Sequence, residues 1–567
     1  MDSVIFLMLR RMRAPLIVLI AIYAISMLGL ALIPGVDANG RPAPPMSFFH
    51  AFYFVSYTAT TIGFGEIPSA FSDAQRMWTV LCIYLTVVGW TYSIVTLLGL
   101  LQDKGFQAAF SKIRFARSVR RLGEPFYLIC GCGETGTLIG SALDRIGTRF
   151  VVLELSEHRV QELDLLEWRA DAPALAGDAR EPELLKLAGL LHPKCRGVLA
   201  VTSNEEANLA VAIAVRLLRP DVPVLARARS DSVNANMASF GTDHIINPFR
   251  RFADQLALAV RAPDVFRLEQ LLTGIPDEPA PEPHRPPRGD WIVCGYGRFG
   301  HAIVAALDSE AQPVTLITPE PLTLPDRRCI AGVGTEAEPL VAAGVRTAVG
   351  IVAGTDNDVN NLSIAVTARE LNPSIFVVMR QNHASNSALF DAFVGDFALV
   401  PSRLIAQECI ATLTTPLLSE FLGRVRLQEN HWAAEVIAQL ESVCPGQVPD
   451  IRGITLNITE ARAAYLHLMA DAPLVLADAM RDNTDRDTRL PLVPLMLRRD
   501  QALILLPPAH TRLEAGDALL IAGPRTALTR LQLSLQNANA FDYVLHGRSA
   551  PGGWIWRARA ARKARPR

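Results

Sequence analysis

Two charge-free apolar runs near the N-terminus, residues 14–33 and 77–101, constrain this chain more than any other feature. At about 1.5 Å per helical residue each is long enough to cross roughly 30 Å of hydrocarbon, so both read as membrane-spanning helices. Residues 46–60, between them, are apolar and aromatic but too short to span. That is the pattern of a re-entrant helix whose C-terminal end carries partial negative charge into the membrane. It runs straight into Thr61-Ile62-Gly63-Phe64-Gly65-Glu66. Glycines alternating with apolar side chains tolerate backbone angles that other L-residues resist, so successive carbonyls can point to one side.

This hexapeptide resembles the potassium-channel signature, usually TVGYGD, here TIGFGE. The resemblance implies a selectivity filter in which Thr61, Ile62, Gly63, Phe64 and Gly65 hold dehydrated K+ by backbone oxygens, with the Thr61 hydroxyl at the inner end. Ile62 and Phe64 then face away from the ion and pack behind the loop. Phe64 lacks the hydroxyl of the usual Tyr, and Glu66 replaces the usual Asp, so the hydrogen bonding behind the filter is left open. Two spans and one filter make a quarter of a pore, which implies a homotetramer in the bilayer. Gly89, midway along the second run, matches the hinge glycine of two-span potassium channels; the plainer reading is a small residue for close helix packing. No span carries Arg at every third position, so no voltage sensor is expected.

Basic residues set the orientation. Arg10, Arg11 and Arg13 precede the first run, and Lys104, Lys112, Arg114, Arg117, Arg120 and Arg121 follow the second, against only Arg41 and Arg76 between. Both termini are therefore expected in the cytoplasm, and the resemblance to two-span potassium channels implies a prokaryotic inner membrane. A secretory signal is disfavoured, because the first run lacks a small-residue cleavage site and a second span follows.

Half of the residues are hydrophobic and the net charge is −1, an average that conceals an apolar front and an ordinary soluble remainder. That remainder, about 440 residues, is enough for two or three domains. The eight cysteines form no CxxC pair, so neither a disulfide framework nor a zinc site is indicated.

The soluble part repeats. Residues 125–130 run into Gly131-Cys132-Gly133-Glu134-Thr135-Gly136, and residues 291–294 into Gly295-Tyr296-Gly297-Arg298-Phe299-Gly300. Each is an apolar strand, a GxGxxG turn and a helical pattern, the context of a dinucleotide fold seen twice. Thr202-Ser203-Asn204 with Asn208, and Arg227, recur 153 residues later as Thr355-Asp356-Asn357 with Asn361, and Arg380. In the first copy Glu154 ends the second strand, placed to take the ribose hydroxyls of an adenosine, and Asp178 follows a third strand. The matching positions of the second copy are Thr318 and Val333, with Glu320 two residues further on. Nucleotide binding is thus expected at Gly131, Gly133, Glu134, Gly136, Glu154 and Asp178. The second loop, Gly295, Gly297, Arg298 and Gly300, is the weaker candidate, with Arg298 as a phosphate contact; the alternative is a glycine turn kept for packing.

A pore followed by such units resembles potassium channels with cytosolic RCK (regulator of potassium conductance, TrkA-type) domains. The resemblance implies membrane α plus α/β architecture: cytosolic N-terminus 1–13, first span 14–34, pore helix and filter 35–75, second span 76–102 and linker 103–124. A first Rossmann-like lobe (125–262), a Pro-rich linker (263–289) and a second lobe (290–415) follow. A β-rich subdomain (416–535), with a strand pair joined by a turn at residues 515–517, and a basic tail (536–567) complete the chain. Implied in turn are a ring of lobes beneath the pore and gating by NAD(H) or an adenine nucleotide, Glu154 favouring a free 2′-hydroxyl over NADP. The alternative is gating by Ca2+, at Asp356 and Asp358 or Glu205 and Glu206, with the glycine loops only structural. An NAD-dependent enzyme is disfavoured for want of a substrate domain or catalytic residue, a transporter's regulatory subunit by the pore, and no nucleic-acid partner is indicated. The tail from Trp554 combines aromatic and basic residues suited to anionic lipid or to solvation.

Overall fold

The computed structural model describes residues 2–37, 41–66, 70–274, 276–393 and 395–548; the residues from 554 on lie outside these. The chain forms two compact units, Met1–Leu122 and Gly123–Arg567.

The first unit is helical: α1 (Asp2–Leu32), α2 (Phe48–Ala59), α3 (Asp73–Gln102) and α4 (Lys104–Arg120). Met12–Leu32 and Asp73–Leu100 are long and apolar enough to cross a membrane. They leave Leu16, Ile20, Tyr84 and Val88 exposed, a surface suited to lipid or to other helices. Ser72 and Gln75 form a capping box that starts α3. Gln75 Nε2 donates to the Ile33 carbonyl at 2.9 Å and Trp78 Nε1 to the Ser26 carbonyl at 3.1 Å, pinning α3 against α1. The segment expected as a linker is helical, α4 being N-capped by Asp103.

The second unit opens with a parallel sheet: β1 (Phe126–Cys130), β2 (Arg149–Glu154), β3 (Ala174–Ala176), β4 (Cys195–Ala200), β5 (Val224–Arg227) and β6 (His244–Ile246). Its spatial order is β3-β2-β1-β4-β5-β6, the doubly wound order whose switch point lies between β1 and β4. Helix α5 (Glu134–Arg145) follows β1. After β6 come α6 (Pro248–Arg261) and α7 (Pro263–Thr273).

The second lobe repeats the plan with β7 (Trp291–Cys294), α8 (Arg298–Ser309), β8 (Val314–Thr318), β9 (Cys329–Ala331), β10 (Gly350–Ala353), β11 (Phe376–Arg380) and β12 (Phe397–Leu399). The order is β9-β8-β7-β10-β11-β12. Helices α9 (Pro401–Thr414) and α10 (Pro416–Val425) close it, matching α6 and α7 at the same offset.

These closing helices are exchanged. From the first repeat, α6 carries Phe249, Phe252 and Leu256 into the core around Phe299 and Ile303 of the second lobe. From the second repeat, α9 carries Ile405, Ala406 and Cys409 into the core around Ile139 and Leu143 of the first. At about 1.5–3 kcal/mol per buried large apolar side chain, this reciprocal burial holds the lobes as a pair. Beside it, Glu269 of α7 is 2% exposed and accepts from Arg251 at 2.6 Å and Arg426 at 2.9 Å, an ion pair that ties α6, α7 and α10.

Three boundaries differ from the sequence expectation. The stretch expected as a linker from 263 begins with α7, which buries Phe266, Leu268 and Leu271; only the Pro-rich part after it is irregular. The last sheet is antiparallel, ordered β13 (Asp450–Thr455), β16 (Ala518–Gly523), β14 (Val493–Arg499), β15 (Ala502–Leu505). Its hairpin turns at Asp500-Gln501, whereas the Ala515-Gly516-Asp517 turn leads into β16 and joins no paired strands. There Asp517, 1% exposed, is held by Arg499 at 2.8 Å and by the Glu514 N–H at 2.8 Å. Finally, residues assigned to the basic tail include the helix Ala538–His546, which buries Phe541 and Val544 against this subdomain.

Candidate functional site

In the first unit, α2 ends at Ala59 and delivers the chain to the signature loop. Thr61, Gly63 and Gly65 have φ of 62°, 65° and 73°, an alternation of left-handed residues along the loop. Glycine supplies it without strain at two of the three places, while Thr61 adopts a conformation that L-residues avoid, a form of strain that concentrates at functional sites. Tyr57 anchors the start, its carbonyl accepting from Ile62 N–H at 2.9 Å. The hydrogen bonding left open by Phe64 and Glu66 comes from α2. Tyr57 Oη donates to the Glu66 carbonyl at 2.9 Å and Tyr53 Oη to Glu66 Oε2 at 3.1 Å. Phe64 packs behind the loop, stacked on Tyr53 at 6.5 Å and edge-on to Tyr57 at 6.0 Å.

Helix α3 runs unbroken through Gly89. A Cβ there would lie 2.6 Å from Ile22 Cδ1, so the glycine also seats α1 against α3.

In the second unit, a cleft of about 630 Å³ opens above the switch point of the first lobe. Gly131, Gly133 and Glu134 line it at the N-terminus of α5, with Glu154, Asp178 and Arg180 on one side and Arg227 and Arg229 on the other. Gly136 lies beneath: a Cβ on it would stand 2.2 Å from the Gly131 carbonyl, so the turn closes onto the helix only with glycine. Glu154 Oε2 accepts from the Cys132 N–H at 2.5 Å and Oε1 from the Ser156 N–H at 3.1 Å, which aims the carboxylate across the loop. Asp178 is paired with Arg180 at 2.6 Å, and that hydrogen bonding holds its carboxyl below the usual range. Arg227 stands out. Its Nε is buried without a partner, and among the described residues it forms no ion pair. Burial, with the nearby Arg229 charge, pushes its guanidinium down to about 10, still protonated at neutral pH. The Glu134 and Glu205 carboxylates act on it from nearby without forming an ion pair, so this desolvated cation shares the cleft with a helix N-terminus suited to an added anion.

The second lobe reaches into the same cleft with Asp356, Arg380, Asn382, His383 and Ser402. At the position of its own loop the chemistry has changed. Gly300 keeps the tight turn, a Cβ on it standing 2.1 Å from the Gly295 carbonyl. Where the first lobe has Thr135, Ser402 from the exchanged helix and unpaired Arg227, the second has Phe299, Phe249 and Arg380. Arg380 lies over both rings, 4.7 Å from Phe249 and 5.7 Å from Phe299, and pairs with Asp356 at 2.6 Å. Arg298 turns to the first lobe and pairs with Glu205 at 3.6 Å. Thr318 is buried with its hydroxyl on the Glu320 carbonyl, and Glu320 itself is exposed outside the cleft lining.

Of the acidic pairs considered for Ca2+, Asp356, Asp358 and Glu205 are already engaged. Asp358 accepts from the N–H groups of Asn382 and His383 and from the Asn386 amide, and Glu205 from those of Arg229 and Ser230. Among the described residues no three His, Cys, Asp or Glu side chains cluster as a metal site. Sequence reasoning missed Arg227 and Ser402 as cleft residues. Arg227 was visible as half of a repeated pair; Ser402 had no signal until the helix exchange placed it.

Residues 16–103 match the ion channel family, and residues 127–248 and 291–401 each match the TrkA-N domain. Potassium channel protein 1 of Methanocaldococcus jannaschii is 24% identical over 232 residues, 41% of this chain and 68% of that protein. The chain joins an ion channel domain to two TrkA-N domains and is homologous to potassium channel proteins. The voltage-gated potassium channel Kch of Escherichia coli is 25% identical over 215 residues, 38% of this chain and 49% of that protein. The channel protein thus spans about half to two thirds of the length of these relatives. Among solved structures, the GsuK channel bound to NAD aligns over 96% of this chain and 100% of its own at 17% identity, with a TM-score of 0.45.

Proposed function

We propose that this chain is one subunit of a homotetrameric K+ channel, both termini cytoplasmic, whose pore is gated by a nucleotide bound in the first TrkA-N lobe. The observation that carries the gating is the cleft where Glu154 faces the glycine loop and Arg227, among the described residues, forms no ion pair. Thr61 to Gly65 hold the dehydrated ion by backbone carbonyls, supported by the alternating left-handed residues and the tyrosine bonds to Glu66. Glu154 takes the ribose hydroxyls of NAD(H) or an adenine nucleotide, the N-terminus of α5 the first phosphate, and Arg227 the diphosphate charge. A ligand that prefers one arrangement of the lobes shifts the pore by that preference alone; four sites at about 1 kcal/mol each suffice. Gly89 is the place where α3 bends.

The test is K+ flux from proteoliposomes holding the full-length protein, with NAD+, NADH, ADP, ATP and Ca2+ added singly to wild type and Glu154→Ala. A nucleotide effect absent from Glu154→Ala is the expected result. Flux indifferent to every nucleotide but changed by Ca2+ would overturn nucleotide gating, and no flux at all would overturn the channel reading.

A further inference from the structure

The exchanged helix α9 ends in the cleft with polar groups that nothing satisfies. In the first repeat, Asn247 caps α6, its Oδ1 accepting from Phe249 N–H at 3.1 Å and Arg250 N–H at 3.2 Å. The second repeat has Val400 at that place, and no side chain caps α9. The first intrahelical bond is from Leu404 N–H to the Val400 carbonyl at 3.1 Å. The N–H groups of Ser402 and Arg403, in the same first turn just before Leu404, have no acceptor among the described residues. The Ser402 side chain lines the cleft, is 6% exposed, and its Oγ is buried without a hydrogen-bond partner. An unsatisfied buried hydroxyl and an uncapped helix N-terminus are each costly unless something polar arrives.

We propose that the N-terminus of α9, with Ser402 Oγ and the N–H groups of Ser402 and Arg403, is a second anion subsite, taking the phosphate beyond the first in a nucleoside diphosphate or dinucleotide. The inference rests on nucleotide binding in the first lobe and goes beyond it by assigning the distal phosphate to the second. Two helix N-termini, α5 from one lobe and α9 from the other, then converge on one diphosphate. The replacement of Asn247 by Val400 between the repeats is what frees the α9 donors. A mononucleotide with a single phosphate is held by the first lobe alone, whereas a diphosphate bridges both.

Full-length protein in detergent, titrated with AMP, ADP and NAD+, tests this with two variants. Ser402→Ala removes the hydroxyl, and Val400→Asn reinstates the cap of the first repeat, which strengthens the helix while consuming its free N–H groups. Wild type is expected to bind ADP and NAD+ at least about tenfold more tightly than AMP, and each variant to lose about tenfold for ADP and NAD+ with AMP unchanged. Equal losses for AMP and ADP, or none for either, would overturn the subsite. If wild type binds AMP and ADP alike and Glu154→Gln abolishes both, the nucleotide reading stands and the subsite falls. Wild type that binds no nucleotide overturns both.

Discussion

Arg227 and Arg380 hold the same place in the two repeats, 153 residues apart, yet only Arg380 has a carboxylate, Asp356 at 2.6 Å. The residue matching Asp356 in the first repeat is Ser203. One duplicated arginine is thus ion-paired within the protein, and the other, among the described residues, is not.

Replacing Arg227 by Met therefore affects the bound state far more than the free one. The substitution keeps most of the stem and removes a desolvated charge, so the melting temperature without ligand is expected to stay level or rise. The charge-assisted bonds to phosphate, worth about 1.5–3 kcal/mol, disappear, and ADP affinity falls roughly ten- to hundredfold. Calorimetric titration reads this directly, and an ADP affinity within about twofold of wild type would refute it. The same titration counts sites. With Arg380 lying over Phe299 and Phe249 at the second loop and paired with Asp356, one nucleotide per subunit is expected, and two would reopen that loop as a site.

How much of this was legible beforehand depended on the range over which each signal acts. The spans, the re-entrant helix, the signature and both glycine turns are contiguous words, and Glu154 or Val333 could be placed by counting from them. The exchange of α6 and α9 was not legible, because an amphipathic helix records that it covers a core and not which core. The repeat contained a clue, since Pro248 and Pro263 recur as Pro401 and Pro416. Arg227 and Ser402 meet in one cleft only through that exchange. The expected hairpin at residues 515–517 failed for a related reason: a glycine turn marks a change of direction, but strand pairing is decided across the sheet, where β16 lies between β13 and β14.

The cluster between the lobes gives a pH dependence with a definite sign. Burial holds the carboxyls of Glu408 and Asp254 above the usual range, against the pull of Arg251 and Arg426. The folded protein therefore binds these protons more tightly than the unfolded chain, whose values lie near about 4. Stability from this pair is fully present below that value and falls as pH rises through the raised folded values. Asp358, Glu205 and Asp178 are shifted downward and act in the opposite sense, so the pair must be isolated by difference. The double variant Asp254→Asn, Glu408→Gln is expected to melt higher than wild type at pH 8 and nearly level with it at pH 4. A gap independent of pH would show that the ionisation of these two groups is not what costs stability.

The signature loop makes a backbone prediction and a side-chain one. Gly63→Ala forces an L-residue to a φ of 65°. At about 1–2 kcal/mol of strain per subunit, repeated around a tetramer, this is expected to abolish K+-selective flux. Tyr57→Phe removes only the 2.9 Å bond to the Glu66 carbonyl. It is expected to leave flux but lower K+ over Na+ discrimination by roughly fivefold, the equivalent of one hydrogen bond. Liposome fluxes with each cation measure both, and unchanged discrimination in Gly63→Ala would refute the assigned role of the loop.

Gly89 carries two demands that a pair of substitutions separates. A Cβ at this position meets Ile22 Cδ1 at 2.6 Å, and that atom is the far end of a flexible side chain, so Gly89→Ala shifts the Ile22 side chain and loosens its packing rather than breaking the fold. If close packing is all that matters, trimming the obstacle with Ile22→Ala in the same chain restores wild-type flux. If α3 must also bend here, Ala, with its helix propensity about 1 kcal/mol above Gly, stiffens α3 whether or not Ile22 has been trimmed. The expected outcome is therefore partial rescue: thermal stability returns in the double variant, while the nucleotide-dependent change in flux stays reduced. Full recovery of both would assign Gly89 to packing alone and move the bend elsewhere along α3.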